Sequence, residues 1–288
     1  MRNVTNDWTQ FPGLPFAFEF ESRFSRDFHR QWLYHNWSVA LYISAVYVLF
    51  VLIGQRLMSG QKKGYGLRSL MFCWNSLLAI FSIMGTIRCL PEFAYVIKSS
   101  GLESSYCNSS YYYDVRLTFW YWLFVWSKVV ELGDTVFIIL RKQSLLSLHW
   151  IHHVLTLTYA FFVIGEAPAS ARWMVNMNFA IHSVMYSYYA LKAIRIPISR
   201  SIAMTITIAQ ICQMIFGLYI NFNAFYMKWS GLKCDTSLSA SGAGLLIYAL
   251  FFLLFINFFV KSYGSRFTLK TVKRLLRGAA KDVLNKVD

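Results

Sequence analysis

Residues 36–55, 69–87, 144–165, 173–191, 201–227 and 237–260 each run without one Lys, Arg, Asp or Glu. Each is about the 20 residues that an α-helix needs to cross the hydrocarbon of a bilayer. A seventh run, Leu117 to Leu140, is apolar except for Lys128, Glu131 and Asp134. In lipid the backbone must satisfy its own hydrogen bonds, which an apolar run of this length does as a helix. The expected architecture is an all-α integral membrane protein with seven transmembrane helices. Composition agrees, because only 14% of the chain is charged, against roughly a quarter in an ordinary soluble domain. The chain then divides into an N-terminal segment 1–35, a seven-helix membrane domain 36–263 and a basic tail 264–288.

Seven crossings leave the termini on opposite sides, and the basic residues choose the sides. Loops 56–68, 141–142 and 192–200, with the chain from 261, hold 17 of the 28 Lys and Arg. The opposite set (1–35, 88–116, 166–172 and 228–236) holds ten over a longer stretch. Positive-inside bias places the N-terminus in the lumen and the tail in the cytosol. It also accounts for the net charge of +15, so anionic lipid headgroups are the expected partner and nucleic acid is not. Residues 1–35 are polar and aromatic, with Pro12 and Pro15 marking an irregular lead-in, and no cleaved signal peptide is expected. Cys107 and Cys234 fall in two lumenal loops, where a disulfide between them is expected. Cys73, Cys89 and Cys212 lie in or beside spans, where small buried thiols are the default. Asn108-Ser109-Ser110 and Asn3-Val4-Thr5 are glycosylation acceptors on the lumenal side.

Four polar clusters interrupt the spans. His149, His152 and His153 are spaced i, i+3 and i+4, so one helix face carries all three imidazoles. Lys128, Glu131, Asp134 and Thr135 are spaced so that one cation and two anions can pair within a span. Asn178, His182, Met185 and Tyr189 form a stripe on one helix, with Tyr186 beside it. Thr207, Gln210 and Gln213 recur at threefold spacing, where interhelical amide hydrogen bonds are the default. Ionisable groups at such depth are costly and mark a lined cavity.

Three chemistries use such an interior. Membrane iron oxygenases carry a His-x-x-His-His box, but need several such boxes; this chain has six His, two of them (His29 and His35) in the lead-in. A single zinc is disfavoured because three histidines on one helix converge poorly on a tetrahedral ion. Proton-coupled transport uses intramembrane acids and histidines, yet matching broken helices and related halves are missing from the pattern. Acyl transfer by imidazole is the third: histidine can accept an acyl group or serve as acid and base. Neighbouring carboxylates would then fix tautomers, and amides or phenols would donate to a developing oxyanion.

The motifs resemble those of the very-long-chain fatty-acid elongases, which are membrane 3-ketoacyl-CoA synthases. They stand here as Lys128-x-x-Glu131-x-x-Asp134-Thr135, His149-x-x-His152-His153, Asn178-x-x-x-His182-x-x-Met185-Tyr186-x-Tyr188-Tyr189 and Thr207-x-x-Gln210-x-x-Gln213, in family order, with the match running from about Trp37 to Tyr263. The resemblance implies an endoplasmic-reticulum enzyme in which six helices form a barrel around an enclosed acyl tunnel. It implies condensation of a long-chain acyl-CoA with malonyl-CoA to give a 3-ketoacyl-CoA two carbons longer, carbon dioxide and CoA, with no cofactor or metal.

By position, the resemblance makes His152 the acyl-accepting nucleophile and His182 the group that assists malonyl decarboxylation. His149 and His153, with Lys128, Glu131, Asp134, Asn178, Tyr186, Tyr189, Gln210 and Gln213, would orient groups, share protons or bind substrate. Arg141, Lys142, Lys192 and Arg195 would contact CoA phosphates from the cytosol. Implied partners are the ketoacyl reductase, dehydratase and enoyl reductase of the cycle, with a homodimer also admitted. The Trp150-containing box and the stretch Ser183–Ala193 look most like the branch acting on saturated and monounsaturated chains near sixteen carbons. The end, Leu284-Asn285-Lys286-Val287-Asp288, departs from the family's dibasic retrieval signal.

Overall fold

The apolar runs are helices in the computed structural model, which describes residues 17–284, with side chains described as far as Gly264. In chain order these are α1 (Glu19–Ser22), α2 (Arg26–Asn36), α3 (Val39–Ser59), α4 (Arg68–Cys107), α5 (Val115–Glu131), α6 (Gly133–Leu140), α7 (Ser147–Glu166), α8 (Ala171–Ala193), α9 (Arg200–Trp229) and α10 (Leu238–Leu284). A short 3-10 turn, Ser110–Tyr113, follows α4, and there is no strand among the described residues. The protein is all-α. α3, α4, α7, α9 and the Leu238–Gly264 part of α10 are long and apolar enough to cross a membrane. Their outer faces expose residues such as Leu52, Ile53 and Leu57 on α3, Leu77 and Ile80 on α4, and Leu246 and Leu253 on α10. Contiguous apolar surface of this kind suits hydrocarbon and not water.

The other two expected spans are helical but less apolar, and one differs in form. The run 117–140 is two helices, α5 and α6, meeting at Leu132. α8 carries Arg172, Asn176, Asn178, His182 and Lys192. These are the elements that supply polar groups to the interior. The run 69–87 continues to Cys107, bending where Gly101 takes a φ of 83°. Its apparent end at Arg88 is misleading, because Arg88 and Glu92 are buried in ion pairs.

Neighbouring helices contact one another in a closed cycle: α4 with α8, α8 with α9, α9 with α10, α10 with α7, α7 with α5, and α5 with α4. α3 lies outside this cycle, against α6 and α7, and α2 crosses α7 and α5. Part of the lead-in is therefore ordered helix and not irregular chain. Its Glu21 is fully buried, receives Arg88 Nε at 2.9 Å and Trp120 Nε1 at 2.7 Å, and is also paired with Arg88 Nη2.

At the same end of the bundle, Arg172 donates to both oxygens of Glu92 at 3.1 and 3.0 Å, and to the carbonyls of Ser105 and Asn108 at 2.7 and 2.8 Å. A buried ion pair is tolerated when its remaining donors are satisfied in this way. The expected disulfide Cys107–Cys234 closes this end, joining α4 to the α9–α10 loop. Burial pushes the Tyr111 phenol up, so it remains a donor to Pro168 O at 3.0 Å. Cys89 is buried as expected, whereas Cys73 and Cys212 are exposed, because they sit on the outward faces of α4 and α9. Pro12, Pro15, Asn3 and the last four residues, including Lys286, lie outside the described residues.

Candidate active site

Five helices, α5 to α9, bring polar side chains to one cavity of about 310 Å³. His149, His152 and His153 of α7, His182 and Asn178 of α8, Glu131 of α5 and Asp134 of α6 all line it. So do Tyr186 and Tyr189 of α8, and Gln210 and Gln213 of α9. Of the expected site residues, Lys128 alone lies behind that wall, and its reach is through Glu131 and Asn178.

The interior network has a definite sense. Lys128 Nζ donates to Glu131 Oε1 at 2.7 Å and to Asn178 Oδ1 at 2.8 Å. An ammonium has no acceptor, so the Asn178 oxygen must face it and the amide nitrogen must point away. That nitrogen lies 3.1 Å from His182 Nε2, which must therefore accept. The His182 proton is then on Nδ1, which faces Glu131 Oε1 at 3.6 Å. Ser127 Oγ completes the carboxylate's shell at 3.1 Å. Both His182 nitrogens are committed, and α5 thereby fixes the tautomer of a histidine on α8.

The histidine box divides its labour differently. His149 Nε2 lies 3.0 Å from Thr135 Oγ1, which is 2.7 Å from Tyr47 OH, linking α7 to α6 and α3. The His153 ring packs against His149 with centroids 4.4 Å apart. His152 faces Phe251 and Phe255 of α10, with centroids 4.5 and 6.0 Å away, and its buried Nδ1 has no hydrogen-bond partner. A buried polar atom left unpaired is costly and is a feature of reacting groups.

Asp134 occupies the break between α5 and α6. Its two oxygens accept from Trp74 Nε1 at 2.7 Å and Tyr186 OH at 2.9 Å. The indole reaches it across Gly133, where a Cβ would come within 2.5 Å of the ring. Only glycine admits that approach. On α9, the Thr207 hydroxyl bonds to its own helix at Ala203 O, and Gln210 donates to the Met185 sulfur at 3.4 Å. The interhelical amide ladder expected there thus reduces to a single weak bond, leaving Gln213 as a cavity wall.

A second cavity, about 490 Å³, shares Asp134, His149, Tyr186 and Tyr189 with the first and opens toward the basic loops. Arg68, Arg141, Lys192 and Arg195 line it. Lys142 does not, because its ammonium is taken up by Gln61 O at 2.5 Å. Arg68 takes its place in the set.

Trp74, Tyr47, Phe251 and Phe255 were missed by sequence reasoning, since they stand among many similar apolar residues. Glu21 carried no distinguishing signal, since Asp7, Glu19 and Asp27 share the lead-in with it. Cys107 and Cys234 are brought together, and Asn108 is anchored beside them through its carbonyl.

Residues 32–271 match the ELO family, described as the GNS1/SUR4 family. A protein of Drosophila melanogaster, "Very long chain fatty acid elongase 6", is 42% identical over 263 residues, covering 90% of this chain and 83% of its own. The Homo sapiens protein of the same description is 38% identical, covering 85% and 92%. "Very long chain fatty acid elongase 3" of Homo sapiens is 34% identical, covering 91% and 94%.

Proposed function

The chain belongs to the ELO family, whose match takes in every helix that lines the cavity, and from that membership we propose that it is the condensing enzyme of fatty-acid elongation. It joins a long-chain acyl-CoA to malonyl-CoA, giving a 3-ketoacyl-CoA two carbons longer, carbon dioxide and CoA. The observation that carries this reading is the contrast between two histidines in one cavity: His182 is hydrogen-bonded at Nε2 and faces the Glu131 carboxylate with Nδ1, while the buried His152 Nδ1 is unpartnered.

His152 attacks the thioester carbonyl, the C–S bond breaks, and the CoA thiolate leaves with the imidazole proton. An acyl-imidazole remains. Malonyl-CoA then loses carbon dioxide, and the electron pair of the broken C–C bond becomes an enolate. The enolate carbon attacks the acyl carbon, the C–N bond breaks, and the imidazolate of His152 takes its proton back from water. The His182 ring, its nitrogens taken by Asn178 and Glu131, positions this network at the cavity wall, and the Gln213 amide on the same wall donates to the enolate oxygen, a preorganised polar group of the kind that contributes most to such reactions.

The closed cycle of helix contacts supports six helices, α4, α5 with α6, α7, α8, α9 and α10, forming a barrel around the acyl tunnel, with α3 as the seventh span. Arg68, Arg141, Lys192 and Arg195 would receive the CoA phosphates, since arginine forks match phosphate geometry. The basic loops then face the cytosol and the disulfide end the oxidising lumen of the endoplasmic reticulum. The motif resemblance favours saturated and monounsaturated chains near sixteen carbons, and the relatives' names support a fatty-acid substrate. Incubation of the purified full-length protein with labelled malonyl-CoA and a panel of acyl-CoAs tests the reading. Labelled 3-keto product is expected; its absence with every acyl chain would sink the proposal.

A further inference from the structure

The acceptor triplet Asn108-Ser109-Ser110 is built into the disulfide end of the bundle, whereas a glycan acceptor ordinarily lies in an open surface loop. All three residues are half-buried. Ser110 Oγ accepts from Arg172 Nη2 at 2.8 Å, and Arg172 is itself fully buried. Ser109 donates through its backbone N–H and its hydroxyl to Asp235 Oδ2, at 3.0 and 3.1 Å. The Asn108 N–H is held by Ser104 O at 2.9 Å, and its carbonyl takes Arg172 Nη1 at 2.8 Å. From Ser110 the chain passes directly into the 3-10 turn that ends at Tyr113.

The two loops are also stitched together beside the triplet. Cys107, directly before Asn108, is bonded to Cys234, directly before Asp235. Asp235 N–H donates to Cys107 O at 2.9 Å, and Ala169 N–H to Asp235 O at 2.7 Å. The side chains that close over the triplet come later in the chain: Arg172 lies 62 residues past Ser110, and Asp235 lies 126 past Ser109. Synthesis from the N-terminus therefore leaves the acceptor open while the 127 residues to Cys234 are made. That interval is on the order of ten seconds.

On the reading that sets the disulfide end in the lumen, we propose that Asn108 is a modification site open only until Cys107 and Cys234 join, so that glycan attachment and closure of this end compete. The donor is an oligosaccharide on a lipid pyrophosphate carrier. Its anomeric C–O bond breaks, a C–N bond forms at Asn108 Nδ2, and the amide gives up a proton as the pyrophosphate leaves. The hydroxyl of the third residue makes such a triplet an acceptor, and here Arg172 has already taken it. Drawing the closed triplet into a transferase would strand a buried guanidinium donor and pull against a covalent link to the α9–α10 loop. The open chain carries neither cost.

Occupancy of Asn108 in full-length protein made in a eukaryotic secretory membrane tests this. Glycosidase release turns a modified Asn108 side chain into a carboxylate, which peptide mass reads. The unsubstituted chain should be modified in a minor fraction. Occupancy should rise severalfold in Cys107→Ser combined with Cys234→Ser, and in the unsubstituted chain made with dithiothreitol present. Asp235→Ala frees Ser109, keeps both cysteines and should raise it less. Gly133→Ala disturbs the packing on Trp74, away from this end, and should leave occupancy low. Full occupancy in the unsubstituted chain, no rise when the cysteines are kept apart, or an equal rise in Gly133→Ala overturns the competition and leaves the lumenal placement standing. An added acceptor triplet in a linker ahead of Met1 reads that placement separately, since Arg26 Nη1 on Tyr112 O at 3.1 Å holds the lead-in at this same end. A linker that is never modified overturns the placement, and the competition with it.

Discussion

At the scale of single residues, the interior is held by charge that cannot be removed one group at a time. Lys128 and Glu131 are both buried and bonded to each other. Glu131→Leu would strand the ammonium and cost about 3–5 kcal/mol, seen as a lowered Tm in detergent. Lys128→Met combined with Glu131→Leu removes both charges and should recover most of that stability. The double variant should still lose condensation by on the order of a hundredfold, because His182 and Asn178 are no longer oriented. Normal turnover in the double variant would mean that the network is only structural. The clustering of His149, His152 and His153 was legible in the sequence because i, i+3 and i+4 spacing needs no tertiary information. The tautomer of His182 was not legible, since it depends on an amide whose orientation is set by a lysine 50 residues away.

At the scale of elements, the break between α5 and α6 delivers Asp134 to the boundary between the two cavities. Gly133→Ala should collide with the Trp74 ring and destabilise by about 1–3 kcal/mol, the usual cost of overpacking. Trp74→Phe in that background should relieve the collision, raising Tm again while the hydrogen bond to Asp134 stays lost. A Gly133→Ala protein of unchanged Tm would contradict the close packing. Hydropathy located the helices but not this break, because Leu132-Gly133 sits in an apolar run and its partner comes from α4. The same limit hid the length of α4. Arg88 and Glu92 look like the end of a span until Glu21 and Arg172 are placed beside them.

At the scale of the whole molecule, the two ends are built differently. One is closed by the Cys107–Cys234 disulfide and the Arg172–Glu92 pair, the other is open and lined by arginines and a lysine. A double Cys107→Ser, Cys234→Ser variant should lose about 2–4 kcal/mol of stability, measured as a Tm drop that the reductant-treated unsubstituted protein reproduces. Its condensation rate below the unfolding transition should persist, as the disulfide lies at the far end from the basic cavity. The long apolar helices and the Cys107–Cys234 pairing were legible from run length and from the two cysteines' places in the charge pattern. The closed cycle of helices was not, because helix order in space is set by packing between faces that hydropathy does not distinguish.

The central claim is that His152 carries the acyl group. Purified full-length protein incubated with a long-chain acyl-CoA and no malonyl-CoA, then analysed by intact mass and peptide mapping, tests it most directly. The account predicts an added acyl mass on the peptide containing His152, discharged by malonyl-CoA and absent from His152→Ala. The usual acyl mass on His152→Ala, or its assignment to another side chain, would contradict the account.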